Sequence, residues 1–431
     1  MLEPKKISNY LDNVYKKHLY KLFGLFIFII SLFFCFLYIS KFEYIIDDNY
    51  RLIFSKIPFG HGPLIENLVH NNTYEGKFID RTFIVQKMPL LPIIIYLFTF
   101  ISHNFFFIIV CKNFFVFFIL IYFLKNYILS NDLEFKKIFI YFLVYLIPYN
   151  MFVSLNFEYA DCLISILLPS LFLVLISKNN NKYIYASILL FFLYLTKNSM
   201  LFVCLVVPIY IILFDKNYYF RTKKIIIILG PLLAIIIWGS FTLIKSGKFA
   251  FGSNMLSVNS MGMNIALNKK FLEYYPKKSL DLIHHKTYFP IEMINEWELS
   301  SYFSKKNKDY LSDTYNLLEY VKTFPKKISF ILFNIHRDAA LPDVNGNFDN
   351  SIRYSLIPNK LLINISLILA LTIILKNVLK QNEKFYDTLL FLIIFGTYTF
   401  PLILAWSTSK HLVPLSIISY FYILNMNDKK N

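Results

Sequence analysis

Apolar runs that reach or approach bilayer length recur from one end of this chain to the other. Their hydrophobic residues cover every face instead of recurring at the spacing of a half-buried helix, so no aqueous fold has enough interior to take them. With 57% of 431 residues hydrophobic and 19% aromatic, the chain reads as an all-α polytopic membrane protein. Candidate crossings fall at roughly 22–40, 104–124, 138–152, 158–177, 183–195, 199–214, 224–244, 356–375, 386–406 and 410–425. That is about ten helices, within a range of roughly eight to twelve. Pro89 to Ile101 is about half a span and carries Pro89 and Pro92, so it reads as an interfacial or re-entrant helix.

A formal charge of +17 would point to nucleic acid in a soluble protein. Here much of the charge lies in short loops between apolar runs: Lys125 to Lys137, Lys178 to Lys182, Lys216 to Lys224, Lys376 to Lys384, and the tail Lys429-Lys430. The positive-inside rule places these loops and the N-terminus in the cytoplasm, and no nucleic-acid partner need be invoked. The run Leu22 to Ile39 is long for a signal peptide and no small-residue cleavage site follows it, so it reads as a retained first helix. Cys35, Cys111, Cys162 and Cys204 sit singly in apolar runs, where they pack as small apolar side chains.

This topology divides the chain into three regions. Residues 1–244 form a transmembrane module with a first outer loop at 41–88, residues 245–355 an outer helical cap, and residues 356–431 the C-terminal transmembrane helices. Within the cap, the apolar residues of Tyr310 to Phe333 recur at helical spacing. Ser257 to Asn268 is rich in Ser, Asn and Gly and reads as a loop.

Ionisable groups gather on the outer face. The first loop brings Asp47, Asp48, Arg51, His61, Arg81 and Lys87, and later segments bring Glu158, Asp161, Lys197, His336, Arg337, Lys410 and His411. A charge deep in a bilayer costs about 2.5–3.5 kcal/mol, so such groups face an aqueous cavity or a partner. The centres of the spans, by contrast, read as almost purely Leu, Ile, Phe and Val. Several of the polar residues also admit plain structural readings. Asp47 and Asp48 would suit a solvated loop start, Glu158 and Asp161 the positive end of a helix, Lys197 a tight turn, and His61 between Gly60 and Gly62 a turn.

A series of short motifs carries a family likeness. Asp47-Asp48, followed by Asn67-Leu68, Tyr74 and Lys87-Met88-Pro89-Leu90-Leu91-Pro92, is similar to an acidic outer loop that closes on an Arg/His-x-Pro-Leu-Tyr-Pro run. Glu158-Tyr159-Ala160-Asp161 opens an apolar helix as a Thr-Asp or Ser-Glu dipeptide does in that pattern. Leu195-Thr196-Lys197-Asn198 stands for Leu-Thr-Arg-Pro, with Lys and Asn in place of Arg and Pro. Asn259 to Asn268 is similar to Gly-x-Asn-Leu-x-x-Gly-Asn-Asn-Pro, but Ala266-Leu267-Asn268-Lys269 departs from its ending. Tyr320 to Arg337, with Pro325, matches an amphipathic helix pair after that loop, and Lys410-His411-Leu412-Val413-Pro414 stands at Arg-Tyr-x-x-Pro. In these respects the chain resembles the C superfamily of integral-membrane glycosyltransferases (GT-C), which includes protein O-mannosyltransferases and aminoarabinose transferases.

The resemblance implies a sugar moved, with inversion, from an outer-leaflet polyprenyl-phosphate donor to a hydroxyl on a glycan, lipid or protein. It implies a bacterial inner membrane with the site on the periplasmic face, and it leaves a divalent cation open. Asp47 or Asp48 would accept the hydroxyl proton, with Asp48 favoured and the other acid orienting the acceptor or a cation. Glu158, Asp161 and His61 are the other candidates for orienting the acceptor. Arg81, Lys87, Lys197, His336, Arg337, Lys410 and His411 are candidates for holding the lipid phosphate as charge builds on it, Arg337 being best shaped for a bidentate grip. A lipid-linked-sugar flippase and a surface-polysaccharide polymerase or ligase are the competing readings. Paired halves and broken, charged mid-membrane helices would favour the first, and a large outer loop late in the chain the second.

Overall fold

The structure is a computed structural model that describes residues 61–78, 81–84, 87–131, 135–147, 160–215, 221–252, 296–333, 357–380, 385–404 and 411–426, with residue 150 and scattered positions between 18 and 53. Helix α1 (His61–Asn71), a hairpin of β1 (Gly76–Phe78) and β2 (Arg81–Phe83), and the short α2 (Leu90–Thr99) come first. The main bundle then begins with α3 (Phe105–Asn131), α4 (Phe135–Leu146), α5 (Asp161–Ile176), α6 (Lys182–Thr196), α7 (Met200–Phe214) and α8 (Ile226–Ser246). Three shorter helices follow, α9 (Glu296–Leu311), α10 (Thr314–Lys322) and α11 (Phe324–Phe333), and the chain ends with α12 (Ile357–Lys380), α13 (Phe385–Leu404) and α14 (Leu412–Met426).

α5 is the axis of the bundle. Every residue from Asp161 to Leu175 is buried, because α3, α6 and α14 pack around it. A helix that is apolar all round belongs in a protein core or a bilayer, and α5 occupies the core position. α6 in turn lies against α8 at very short range: Gly230 N–H donates to Ser187 Oγ at 2.8 Å, and a Cβ at Gly230 would stand 1.8 Å from the Ser187 carbonyl oxygen. α7 pairs with α13, and α12 with α14.

The outward faces are as apolar as the interior. α8 exposes Leu229, Leu232, Leu233, Ile236 and Ile237, and α12 exposes Leu361, Ile365, Ile368, Leu369 and Leu375. Continuous apolar surface of this kind is costly in water and at home in hydrocarbon. Among the described residues, four helices are long and apolar enough to cross a membrane: α3, α8, α12 over Lys360–Leu379, and α13. α2, α5, α6, α7 and α14 are apolar but shorter.

From residue 104 onward the described helices fall at the expected crossings, with differences at their ends, while most of the expected crossing at 22–40 lies outside the described residues. α2 has 10 residues, a rise of about 15 Å, in keeping with a segment too short to span. α3 runs past the expected boundary at 124, through Lys125, to Asn131. It continues because Tyr127 and Ile128 are buried; the Tyr127 hydroxyl donates to Asn425 Oδ1 at 3.2 Å and accepts from Tyr141 at 3.2 Å. α12 likewise extends into the expected basic loop, where buried Asn377 donates to Tyr422 Oη at 3.3 Å. Residues 296–333 are helical at α9 to α11, while the Ser257 to Asn268 loop lies outside the described residues.

Gly230 within α8 and Gly247 just after it test the helix by different routes. Gly230→Ala forces α6 and α8 apart and is expected to cost about 2–3 kcal/mol. Gly247→Ala, at a left-handed C-cap with φ of 72° and open space around it, is expected to cost about 1 kcal/mol. Thermal unfolding in detergent should rank them in that order; a silent Gly230→Ala would contradict the close approach.

Candidate functional site

Asp161, Lys197 and His411 meet at one end of α5. Asp161 is the first residue of that helix, where the positive end of the helix dipole favours a carboxylate, and it is only 3% exposed. Lys197 follows the last residue of α6 in an extended conformation (φ −158°, ψ 140°). The tight turn to α7, closed by the Met200 N–H donating to the Lys197 carbonyl at 2.9 Å, holds its backbone in place. His411 immediately precedes α14, which packs on α5. Lys197 Nζ donates to Asp161 Oδ1 at 2.9 Å and contacts His411 Nε2 at 2.8 Å, while His411 Nε2 stands 3.6 Å from Asp161 Oδ1.

The proton inventory follows from these distances. An ammonium has no lone pair, so a charged Lys197 requires His411 Nε2 to accept and the imidazole to be the neutral tautomer with its proton on Nδ1. A buried carboxylate needs a partner or it neutralises itself. Lys197 supplies that partner while keeping 30% of its side chain exposed. The ammonium is therefore anchored by the acid at the end of a side chain that stays partly exposed.

More polar groups surround this triad. Lys112 and Asn113 are fully buried on α3, and the charge of Lys112 is felt at Cys162, next to Asp161. Tyr398 on α13 is within electrostatic reach of Asp161, and its buried hydroxyl has no hydrogen-bond partner among the described residues. Lys112 thus adds a second described lysine to the Asp161 end of the bundle. The chain after α8 folds back over this corner: the Trp238 indole donates to the Gly252 carbonyl at 3.3 Å, and a Cβ at Gly252 would strike the Asn198 side chain.

The first loop is tied down by its own acid. Asp47 Oδ1 accepts from the N–H groups of Asn49 (3.0 Å) and Arg51 (2.7 Å), so Asp47 shapes a turn and Asp48 stands exposed on it. Arg51 bridges to Asn104, just before α3. Farther on, the Tyr74 hydroxyl donates to the Lys87 carbonyl at 3.1 Å, and its ring packs edge-on against Trp238 and Phe241. Burial, then the nearby Glu296, raises the Tyr74 phenol well above its ordinary range, which keeps it a donor. Glu296 Oε1 in turn accepts from the Ile84 N–H at 3.0 Å, linking the loop to α9.

Several expectations change here. His61 does not sit in a turn: it opens α1 and is 5% exposed, since Leu64, Ile65 and Leu68 give the stretch a buried helical face. Arg81 lies in β2 opposite Phe78, and Lys87 is half-buried behind its hairpin. Glu158, His336, Arg337 and Lys410 lie outside the described residues. The span centres are not purely apolar, because Lys112 and Asn113 interrupt α3; the pair stood in plain view seven residues inside an apolar run. Tyr398 gave no such signal. Among the described residues, no three His, Cys, Asp or Glu side chains are placed to share a metal ion. No family model matches the chain, and no curated protein or solved structure is significantly similar to it.

Removing Lys197 strands a buried carboxylate. Lys197→Met is expected to destabilise by about 2 kcal/mol or more, reduced from the fully buried case by the exposure of the lysine. Adding Asp161→Asn should recover part of that loss. Thermal unfolding of the two single variants and the double variant measures this coupling, and strictly additive effects would show that the groups do not interact.

Proposed function

We propose that this protein is a GT-C-like membrane glycosyltransferase of about ten spans. On this reading it transfers a sugar from a polyprenyl-phosphate donor to a hydroxyl acceptor with inversion. The observation that carries the reading is the convergence of Asp161, Lys197 and His411, three residues from separate family-like motifs, into one hydrogen-bonded cluster. A cation held by a buried acid at the end of an apolar bundle suits a lipid phosphate, whose chain lies in hydrocarbon and whose charge lies at its edge.

In this mechanism the acceptor oxygen attacks the anomeric carbon while its proton passes to the Asp48 carboxylate. The bond from the anomeric carbon to the phosphate oxygen breaks, and both its electrons leave with the polyprenyl phosphate. Lys197 stabilises the charge that builds there. Asp161 and His411 position the ammonium, so Asp161 acts on the donor side through Lys197 and not as an acceptor-orienting group. The partners are the lipid-linked donor, the bilayer and a glycan, lipid or protein acceptor, and the site faces the periplasm of a bacterial inner membrane.

A flippase for the same lipid is the second reading, favoured by Lys112 and Asn113 buried within α3. Purified protein incubated with a panel of radiolabelled polyprenyl-phosphate sugars separates the two. Asp48→Asn is expected to lower turnover about 10²–10⁴-fold with donor binding retained, and Asp47→Asn to lower it less. Equal turnover in Asp48→Asn and wild type would remove the assigned base; movement of donor between leaflets without turnover would install the flippase.

A further inference from the structure

The far end of α5 carries a second polar site, about 24 Å along the helix axis from Asp161. A cavity of about 290 Å³ opens there among the α5–α6 turn, the end of α7 and the start of α13, with Lys178, Asn179, Lys182, Asp215, Tyr386 and Asp387 in its wall. We propose that it holds the headgroup of an aminophospholipid, a phosphate diester carrying a primary ammonium. The proposal rests on the bundle lying in a bilayer and is independent of the glycosyl-transfer reading.

The walls have opposite signs. On one side stand Lys178, Lys182 and the N-terminus of α6, whose N-cap Asn181 makes no side-chain capping bond. Lysines and the positive end of a helix dipole both favour phosphate. Facing them, Asp215 closes the C-terminus of α7 and Asp387 lies in the first turn of α13. Carboxylates and the negative end of a helix dipole favour an ammonium. The two walls are braced against each other: Lys182 Nζ lies 3.2 Å from Asp215 Oδ2, and the Tyr183 hydroxyl donates to the same oxygen at 2.7 Å. Asp387 is oriented by Asn425, whose amide donates to Oδ2 at 2.9 Å.

The rim of the cavity indicates a lipid over a soluble solute. Leu213 and Phe214 precede Asp215 and are exposed, as is Phe385 before Tyr386. Tyr210 stacks on both Phe214 and Tyr386, with ring centroids 5.3 and 5.5 Å apart. An aromatic wall therefore leads from the charged cavity along α7 and α13 toward the apolar outer surface. A ligand with a dipolar head and acyl chains satisfies both parts.

Native mass spectrometry of the full-length protein, delipidated and titrated with dioleoyl lipids, tests this. Phosphatidylethanolamine should be retained about tenfold more strongly than phosphatidylcholine, whose methylated nitrogen cannot donate to Asp215 or Asp387. Asp387→Asn, which keeps an oxygen for Asn425, should abolish that preference. Lys178→Gln, at an exposed position, should weaken both lipids alike. Equal retention of the two lipids by the wild type, or an unchanged preference in Asp387→Asn, would overturn the proposal. Equal competition by free glycerophosphoethanolamine at the same concentration would overturn the lipid as occupant. Because the readout is lipid occupancy and not sugar turnover, its failure is separate from failure of the transferase reading.

Discussion

A single buried carboxylate organises one whole end of this bundle. Asp161 starts a helix that is covered on every side, so its charge must be met from inside the protein. The partner cannot come from α5 itself, whose next residues are apolar. It comes from the turn after α6 and from the residue before α14, two elements that pack on α5 for hydrophobic reasons. Packing and charge therefore agree on one arrangement, and that agreement specifies how the helices stand relative to each other.

The rest of the bundle follows from inverting the usual surface rule. α8 and α12 turn leucine and isoleucine outward, while Lys112 on α3, Asp161 on α5 and His411 just before α14 turn inward. Such a molecule concentrates its chemistry at the two ends of the buried helix, and both ends are polar. One end gathers cations about Asp161. The other sets lysines against aspartates around a cavity. Because the helices are antiparallel, each end joins the start of one helix to the finish of its neighbour, and opposite dipole ends meet there.

Much of this was legible in the residues. Apolar runs placed the helices, since a long uncharged run has few alternatives to a helix in hydrocarbon. Asp161, Lys197 and His411 could be picked out because each is a charged or titratable group at the edge of such a run. Their meeting could not, because it depends on which helices touch α5. Helix ends were misjudged where lysines suggested a loop: α3 carries Lys125 inside its length, with buried Tyr127 and Ile128 holding the next turn. His61 looked like a turn residue between two glycines, yet the apolar spacing of Leu64, Ile65 and Leu68 prevailed. The cavity beside Asp215 and Asp387 had no sequence signature, since its lysines read only as a topology signal.

The most direct test of the account is an experimental structure of the protein with polyprenyl phosphate bound in a lipid nanodisc. The account predicts the phosphate within hydrogen-bond distance of Lys197 Nζ, about 2.7–2.9 Å, with Asp161 and His411 still holding the ammonium and the isoprenoid chain running out between helices. A polyprenyl phosphate seated elsewhere, with the Asp161 cluster closed and undisturbed, would contradict it.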